Sequence, residues 1–179
     1  MSAMILAFPN ATFPVIKDGV RTENTAIGTF KAYVDESMNV VSPIEFSMKL
    51  PKLGMDILYA IIREFKKDVT KEAMLNVYWS VCGQYYYIAR PSYTADKVSV
   101  NYTAPKTKDV LVLQAHSHNT MPAVFSSTDN EDECMTGLYM VLGRLHTDRP
   151  QVNLRCGMEG TFTSLRISDV FSDNSGDIA

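Results

Sequence analysis

With 179 residues and a mass of 20.0 kDa, the chain is long enough for one domain with a substantial hydrophobic core. Its hydrophobic content of 46% and charged content of 21% are those of an ordinary globular protein. A net charge of -3, a pI near 5.6 and no cluster of lysines or arginines argue against a nucleic-acid-binding protein.

The sequence also argues against membrane insertion and secretion. No apolar stretch reaches the length of a membrane span, and the N-terminal segment has no charged region of the kind that opens a secretory signal. The three cysteines, Cys82, Cys134 and Cys156, have no C-x-x-C spacing and do not indicate a disulfide framework. We therefore expect a cytoplasmic, reduced setting.

The pattern of apolar residues changes near residue 50. Before it, residues 1–50 predict short strands and turns, and residues 29–35 alternate as a half-buried strand does. After it, residues 55–67 predict an amphipathic helix. Its apolar positions are Met55, Leu58, Tyr59, Ile62 and Phe65. We expect an N-terminal β-rich extension, residues 1–50, and a main domain, residues 51–179.

The main domain is predicted to be rich in strands. Paired strands are expected at 72–80 and 84–89, and the apolar run 110–113 predicts a buried strand. The acidic stretch 130–133, Asn-Glu-Asp-Glu, suits the first turn of a helix. Further strands are expected at 98–102, 138–142, 152–155 and 161–167. Helices and strands do not alternate regularly, so we expect an α/β fold with a sheet flanked by a few helices.

The most informative motif is His-Ser-His at residues 116–118, followed after seven residues by Ser-Ser-Thr-Asp at residues 126–129. Side chains two apart on a strand point the same way, so His116 and His118 can converge on one ion. The loop that follows is long enough to bring Asp129 to the same point. Two imidazoles and a carboxylate are a typical ligand set for a catalytic zinc that keeps a position for water.

Structural alternatives stay open for each part of this motif. A His-x-His pair at a strand end can be a polar edge or a hydrogen-bonded pair. Ser126 with an acid three residues later resembles a capping box at a helix start. Of the other residues with ligand chemistry, we expect His146 to lie on the surface and Cys134 to be a core thiol in a helix. The acids Asp132 and Glu133 are interpreted as solvated.

The motif resembles the JAMM motif of the JAB/MPN metalloprotease family, and the likeness extends over roughly residues 50–170. The helix, a glutamate that opens a strand, the histidine strand and a second helix occur in the family's order. The segment at 116–126, with Gly-Leu-Tyr at 137–139 and Arg-Cys-Gly at 155–157, is most similar to a bacterial branch that includes the A proteins of PRTRC cassettes. The resemblance implies a JAB/MPN-like, cytidine-deaminase-like fold with a mixed β-sheet flanked by helices.

The resemblance also implies a role for individual residues. His116, His118 and Asp129 are expected to bind Zn²⁺, and Ser126 to help hold the scissile carbonyl and the oxyanion that develops on it. An upstream glutamate is expected to accept a proton from the attacking water. Glu72 is the best match for this role, because it opens an apolar strand after the predicted helix.

Other residues weaken or qualify this assignment. Glu64 lies on the predicted helix and Glu45 precedes it, so both fit the role of the catalytic glutamate less well than Glu72. Asn119 stands where many eukaryotic members of the family have proline. Since proline supplies no ligand there, this departure puts specificity in doubt more than chemistry.

The function implied is that of a zinc-dependent metallopeptidase or isopeptidase. Its substrate is expected to be an amide bond at the C-terminus of a ubiquitin-like protein, and an E1-like enzyme encoded nearby is a possible partner. Two alternatives stay open. One is a non-catalytic JAB-like module that binds a ubiquitin-like partner, and the other is a hydrolase of small amide conjugates.

Overall fold

A computed structural model of the chain describes residues 14–96, 99–103 and 108–173, which form a mixed α/β fold that is mostly sheet. The strands, numbered along the chain, are β1 Val15–Lys17, β2 Val20–Asn24, β3 Gly28–Val34, β4 Val40–Met48, β5 Leu53–Gly54, β6 Met74–Ser80, β7 Tyr85–Ala89, β8 Ser92–Asp96, β9 Ser99–Thr103, β10 Val110–Ser117, β11 Gly137–Gly143, β12 Gln151–Met158, β13 Thr161–Leu165 and β14 Phe171–Ser172. The helices are α1 Met55–Phe65, α2 Ser127–Asp132 and α3 Ile167–Val170. None of these helices is long and apolar enough to cross a bilayer.

The strands β1 to β4 form a four-stranded antiparallel sheet, which confirms the short strands predicted for the N-terminal part from residue 14 onward. In β3 the side chains of Phe30 and Ala32 are buried, while Tyr33 is exposed. Phe30 and Ala32 belong to the same buried cluster as Leu113 and Met140 of the larger sheet. The division of the chain at residue 50 stays a prediction.

The larger sheet has six strands in the order β13-β12-β11-β10-β6-β7. It is mixed, because β10 and β11 run parallel while the other neighbours are antiparallel. The apolar run predicted as a buried strand is β10, in which Val112, Leu113 and Ala115 are buried. Since β10 has β6 on one side and β11 on the other, its C-terminal end is held from both sides.

The structure differs from the sequence-based expectation at the start of β6 and on the apolar face of α1. The paired strands β6 and β7 are confirmed, but β6 begins at Met74, two residues later than predicted. In α1 the buried residues are Leu58, Ile61 and Phe65, whereas Tyr59 is 61% exposed. The helix therefore begins where expected, but the prediction that Tyr59 lies on its apolar face is wrong. Part of the strand predicted at 98–102 is β9; residues 97 and 98 lie outside the described ranges.

Candidate metal centre

Two histidines lie at the C-terminal end of the central strand. His116 belongs to β10 and pairs with Val141 of β11 and Met74 of β6. His118 follows the strand, and its backbone N–H donates to the Leu142 carbonyl at 2.7 Å. An extended backbone turns both side chains to one face, and their ring centroids are 5.0 Å apart. The geometry of the strand thus brings the two imidazoles together.

Asp129 reaches the two histidines from the first turn of α2. Its Oδ1 lies 3.3 Å from Nε2 of His116, and its Oδ2 lies 3.6 Å from Nε2 of His118. One ligand atom from each of the three side chains lies within 4.8 Å of the other two. The three residues predicted as ligands therefore converge on one point.

Ser126 is the N-cap of α2, and Asp129 completes a capping box with it. The backbone N–H and the hydroxyl of Ser126 donate to Oδ2 of Asp129 at 2.6 and 2.8 Å. The capping-box alternative is thus confirmed, and it leaves Oδ1 of Asp129 turned toward His116. The helix begins at Ser127, so the expectation that the acids after Asp129 form its first turn is wrong.

The protonation of these residues suits a metal ion. Nε2 of His116 is buried and makes no hydrogen bond in the described structure. Burial lowers the pKa of His116 to about 4, which leaves the imidazole neutral near pH 7. Burial opposes the ionisation of Asp129, but the backbone and side-chain hydrogen bonds from Ser126 hold its pKa below the ordinary value. Neutral imidazoles and an ionised carboxylate are the donors that Zn²⁺ prefers.

The loop between the ligands is held by backbone hydrogen bonds. The N–H of Met121 donates to the His118 carbonyl at 2.8 Å, and the N–H of Arg144 donates to the Met121 carbonyl at 2.7 Å. At Gly143, an added Cβ would lie 2.3 Å from the Met121 carbonyl oxygen and 2.4 Å from the Ala123 nitrogen. Because only glycine allows so close an approach, the loop packs directly against the end of β11.

Glu72 lies in the connection between α1 and β6 and is exposed. Together with His116 and Asp129 it lines a cleft of about 540 Å³. The prediction that Glu72 opens a strand is wrong by two residues, since β6 begins at Met74. Glu72 nevertheless lines the same cleft as two of the candidate ligands, His116 and Asp129.

Asn119 and Ser117 tie the Glu72 connection to the histidine segment. In the orientation that satisfies its donors and acceptors, the Asn119 amide donates to the Lys71 carbonyl at 2.8 Å and accepts from the Glu72 N–H at 3.1 Å. Ser117 Oγ accepts from the N–H of Ala73 at 2.9 Å. Asn119 has a φ of 49°, which proline cannot adopt. Proline therefore could not stand at position 119 without a change in this backbone.

The alternative glutamates are engaged elsewhere. Glu64 lines the cleft but forms ion pairs with Lys67 at 2.5 Å and Arg90 at 2.7 Å. Hydrogen bonds from these two cations lower its pKa, so it is a poorer proton acceptor. Glu45 lies on β4 and pairs with Lys31 at 2.9 Å.

Glu133 was not recognised from the sequence. Asp132 is exposed as expected, but the side chain of Glu133 is only 12% exposed, so its interpretation as a solvated acid is wrong. Burial raises the pKa of Glu133 to about 7, although the guanidinium of Arg155 opposes this shift from 2.6 Å. No local spacing signals this pair, because 22 residues separate its members.

The two remaining candidates lie outside the ligand group. His146 is exposed in a turn, as predicted. Cys134 is also exposed and follows α2, so the prediction of a core thiol in a helix is wrong. The residues that the structure describes bring neither side chain into the His116, His118 and Asp129 group.

Comparison with known proteins gives no family assignment. No protein-family model matches the chain, and no curated protein matches it. The function must therefore be argued from the site, whose central observation is the convergence of His116, His118 and Asp129 beside Glu72.

Proposed function

We propose that the protein is a zinc-dependent metallopeptidase or isopeptidase with a JAB/MPN-like fold. The observation that carries the proposal is that His116, His118 and Asp129 place one donor atom each within 4.8 Å of one another. The cleft in which His116 and Asp129 lie also contains Glu72. Ligands and a potential proton acceptor thus share one surface.

Each residue of the proposed site has its own chemical role. His116, His118 and Asp129 would hold the metal, and a zinc ion there would act as a Lewis acid that lowers the pKa of water to about 7. Glu72 accepts a proton from the attacking water and passes it to the departing amine. Ser126 orients Asp129 through its hydroxyl, which must turn from Oδ2 of Asp129 to the carbonyl oxygen in order to hold that oxygen as it becomes negative.

We propose the C-terminal tail of a ubiquitin-like protein, or a conjugate of it, as the substrate. The cleft is open along the connection before β6 and the start of α2, where Glu72, Thr128 and Asp132 line it. An extended tail enters such a cleft more easily than a folded surface does. An E1-like enzyme encoded nearby, a cytoplasmic location and a main domain of residues 51–179 belong to the same proposal.

One observation favours a second candidate, a non-catalytic module that binds a ubiquitin-like partner. Asp129 completes a capping box with Ser126, a bond pattern that stabilises α2 without any metal. On this alternative the two histidines are largely buried polar side chains that hold no metal, and Glu72 is part of the polar surface. The buried Nε2 of His116 without a hydrogen bond argues for the metal site, since such an atom is costly to leave unpaired.

Metal analysis and a substrate panel test the proposal together. Purified protein incubated with zinc and then desalted should retain close to one zinc per chain, and His118→Ala should retain none. The zinc-loaded protein should cleave one of a set of ubiquitin-like fusions. Failure of the wild type to retain zinc would overturn the proposal. Zinc binding without cleavage of any fusion or small amide would instead support the non-catalytic module, and cleavage of small amides alone would identify a small-amide hydrolase.

A further inference from the structure

His116 has an acidic neighbour at each ring nitrogen. Its Nε2 faces Asp129, 3.3 Å from Oδ1. Its Nδ1 lies 3.7 Å from Oε1 of Glu133. A metal shared with Asp129 requires the lone pair on Nε2, so the proton of the neutral ring must reside on Nδ1. Glu133 is the acceptor that lies beside this proton.

Arg155 fixes the orientation of the Glu133 carboxylate. Its Nε and Nη2 both donate to Oε2 of Glu133, at 3.0 and 2.6 Å. This fork engages one carboxylate oxygen and leaves the other, Oε1, turned toward His116. The planar guanidinium thereby sets which oxygen the imidazole meets.

Arg155 is itself held on every side. It is 6% exposed, and its Cζ lies 3.7 and 3.6 Å from the ring centroids of Phe125 and Phe162. Its Nη1 donates to Oδ1 of Asn130 at 2.6 Å. An apolar side chain of similar size could fill such a place without the desolvation cost of a charge. The orientation that Arg155 gives to the Glu133 carboxylate, toward His116, is a reason for a buried charge at this place despite its desolvation cost.

We propose that Glu133 and Arg155 are positioning residues of the metal centre, in which Glu133 accepts the Nδ1–H of His116 and so leaves Nε2 free for the metal. This inference rests on the proposed function, because it assigns His116 as a metal ligand. The separation of 3.7 Å is longer than the roughly 2.7–3.2 Å of an N–H···O hydrogen bond. Hydrogen bonds at catalytic sites are often long before the substrate binds and shorten in the complex, and the proposal requires the same of this contact. A carboxylate behind a ligating histidine fixes its tautomer and raises its basicity.

Glu133→Gln tests the proposal while preserving size and shape. The amide oxygen of glutamine must turn to the donors of Arg155, which directs the NH₂ group at Nδ1 of His116. The proton of His116 should therefore move from Nδ1 to Nε2, the nitrogen needed by the metal. We expect ¹⁵N chemical shifts of the imidazole, recorded without metal near pH 8, to report this change. Zinc affinity, measured by chelator competition, should fall about 10–100-fold.

Asp132→Asn is the matched control, because Asp132 is an exposed acid in the same cleft and the substitution removes the same charge. It should leave the tautomer and the zinc affinity unchanged. The proposal is overturned if His116 of the wild type carries its proton on Nε2, a result that needs no variant to fold. The proposal is also overturned if Glu133→Gln changes neither the tautomer of His116 nor the zinc affinity. A wild type that binds no zinc refutes the proposed function, whereas the metal-free tautomer tests the role of Glu133 separately.

Discussion

The side chain of Asn119 is bonded to the backbone of Glu72, 3.1 Å from its N–H. The residue after the second histidine therefore supports the connection that carries the proposed proton acceptor. Asn119 can do this because asparagine tolerates the left-handed backbone that it adopts at φ 49°. The Asn119 side chain thus connects the segment of the proposed metal ligands to that of the proposed proton acceptor.

Replacement of Asn119 should separate the effects of its backbone and its side chain. Asn119→Gly keeps access to the positive φ but loses the two hydrogen bonds that the side-chain amide makes with Lys71 and Glu72. We therefore expect the free energy of unfolding to fall by about 1–2 kcal/mol. Asn119→Pro also forbids the φ and should cost roughly 1–3 kcal/mol more. Urea denaturation of the metal-free proteins measures both. Equal stability of the glycine and proline variants would contradict the importance of the left-handed backbone.

Glu72→Gln should keep the fold and the zinc while removing most hydrolysis, because the amide cannot accept the proton of water. The expected loss of rate is about 10²–10⁴-fold. Glu64→Gln is the control, since Glu64 lines the same cleft but is paired with Lys67 and Arg90. Steady-state turnover of the cleaved fusion gives the comparison. If Glu72→Gln retains full turnover, the assignment is wrong, and Glu64 and then Glu45 become the candidates.

Ser126→Ala should weaken the start of α2 without removing the metal. Loss of an N-cap side chain costs about 0.5–2 kcal/mol of stability, and Ser126 also donates to Asp129 at 2.8 Å. We expect zinc to be retained, with a smaller rate loss than in Glu72→Gln. Ser127→Ala is the control, because Ser127 is the exposed neighbour of Ser126. Loss of zinc on replacing Ser126 would show that the capping bond is essential for the position of Asp129.

Protonation of His116 should destabilise the metal-free protein in acid. Burial lowers its folded pKa to about 4 from an ordinary 6.5, so the folded state binds fewer protons between these values. The contribution of neutral His116 to the free energy of unfolding is therefore fully present above pH 6.5. It is lost as the pH falls through 4, by up to about 3 kcal/mol. Urea denaturation at a series of pH values measures this contribution as the difference in the free energy of unfolding between the wild type and His116→Gln. A difference that stays constant from pH 7 to pH 4 would contradict the burial effect.

Local patterns were enough to predict much of the sheet and the proximity of the two histidines. The apolar run of β10 and the two-residue spacing of His116 and His118 depend only on strand geometry, which is a property of neighbouring residues. The beginning of α1 followed in the same way from helical periodicity.

Features that depend on distant partners could not be predicted. Glu133 was interpreted as solvated, because its burial depends on Arg155, which β12 brings to it from 22 residues away. The start of β6 was placed too early, because residues 71–73 are bonded to Asn119 and Ser117 in a separate segment. Alternation of apolar residues carries no information about such contacts.

The turn at Met121, in the loop between His118 and Asp129, is held by main-chain hydrogen bonds to the His118 carbonyl and from the Arg144 N–H. The side chains of Met121 and Val124, which are 51% and 62% exposed, take no part in these bonds. The backbone of this turn is therefore independent of what these two side chains are. Substitution at these two positions can change what the loop contacts without moving the proposed metal ligands. Recognition and chemistry can therefore evolve separately on this scaffold.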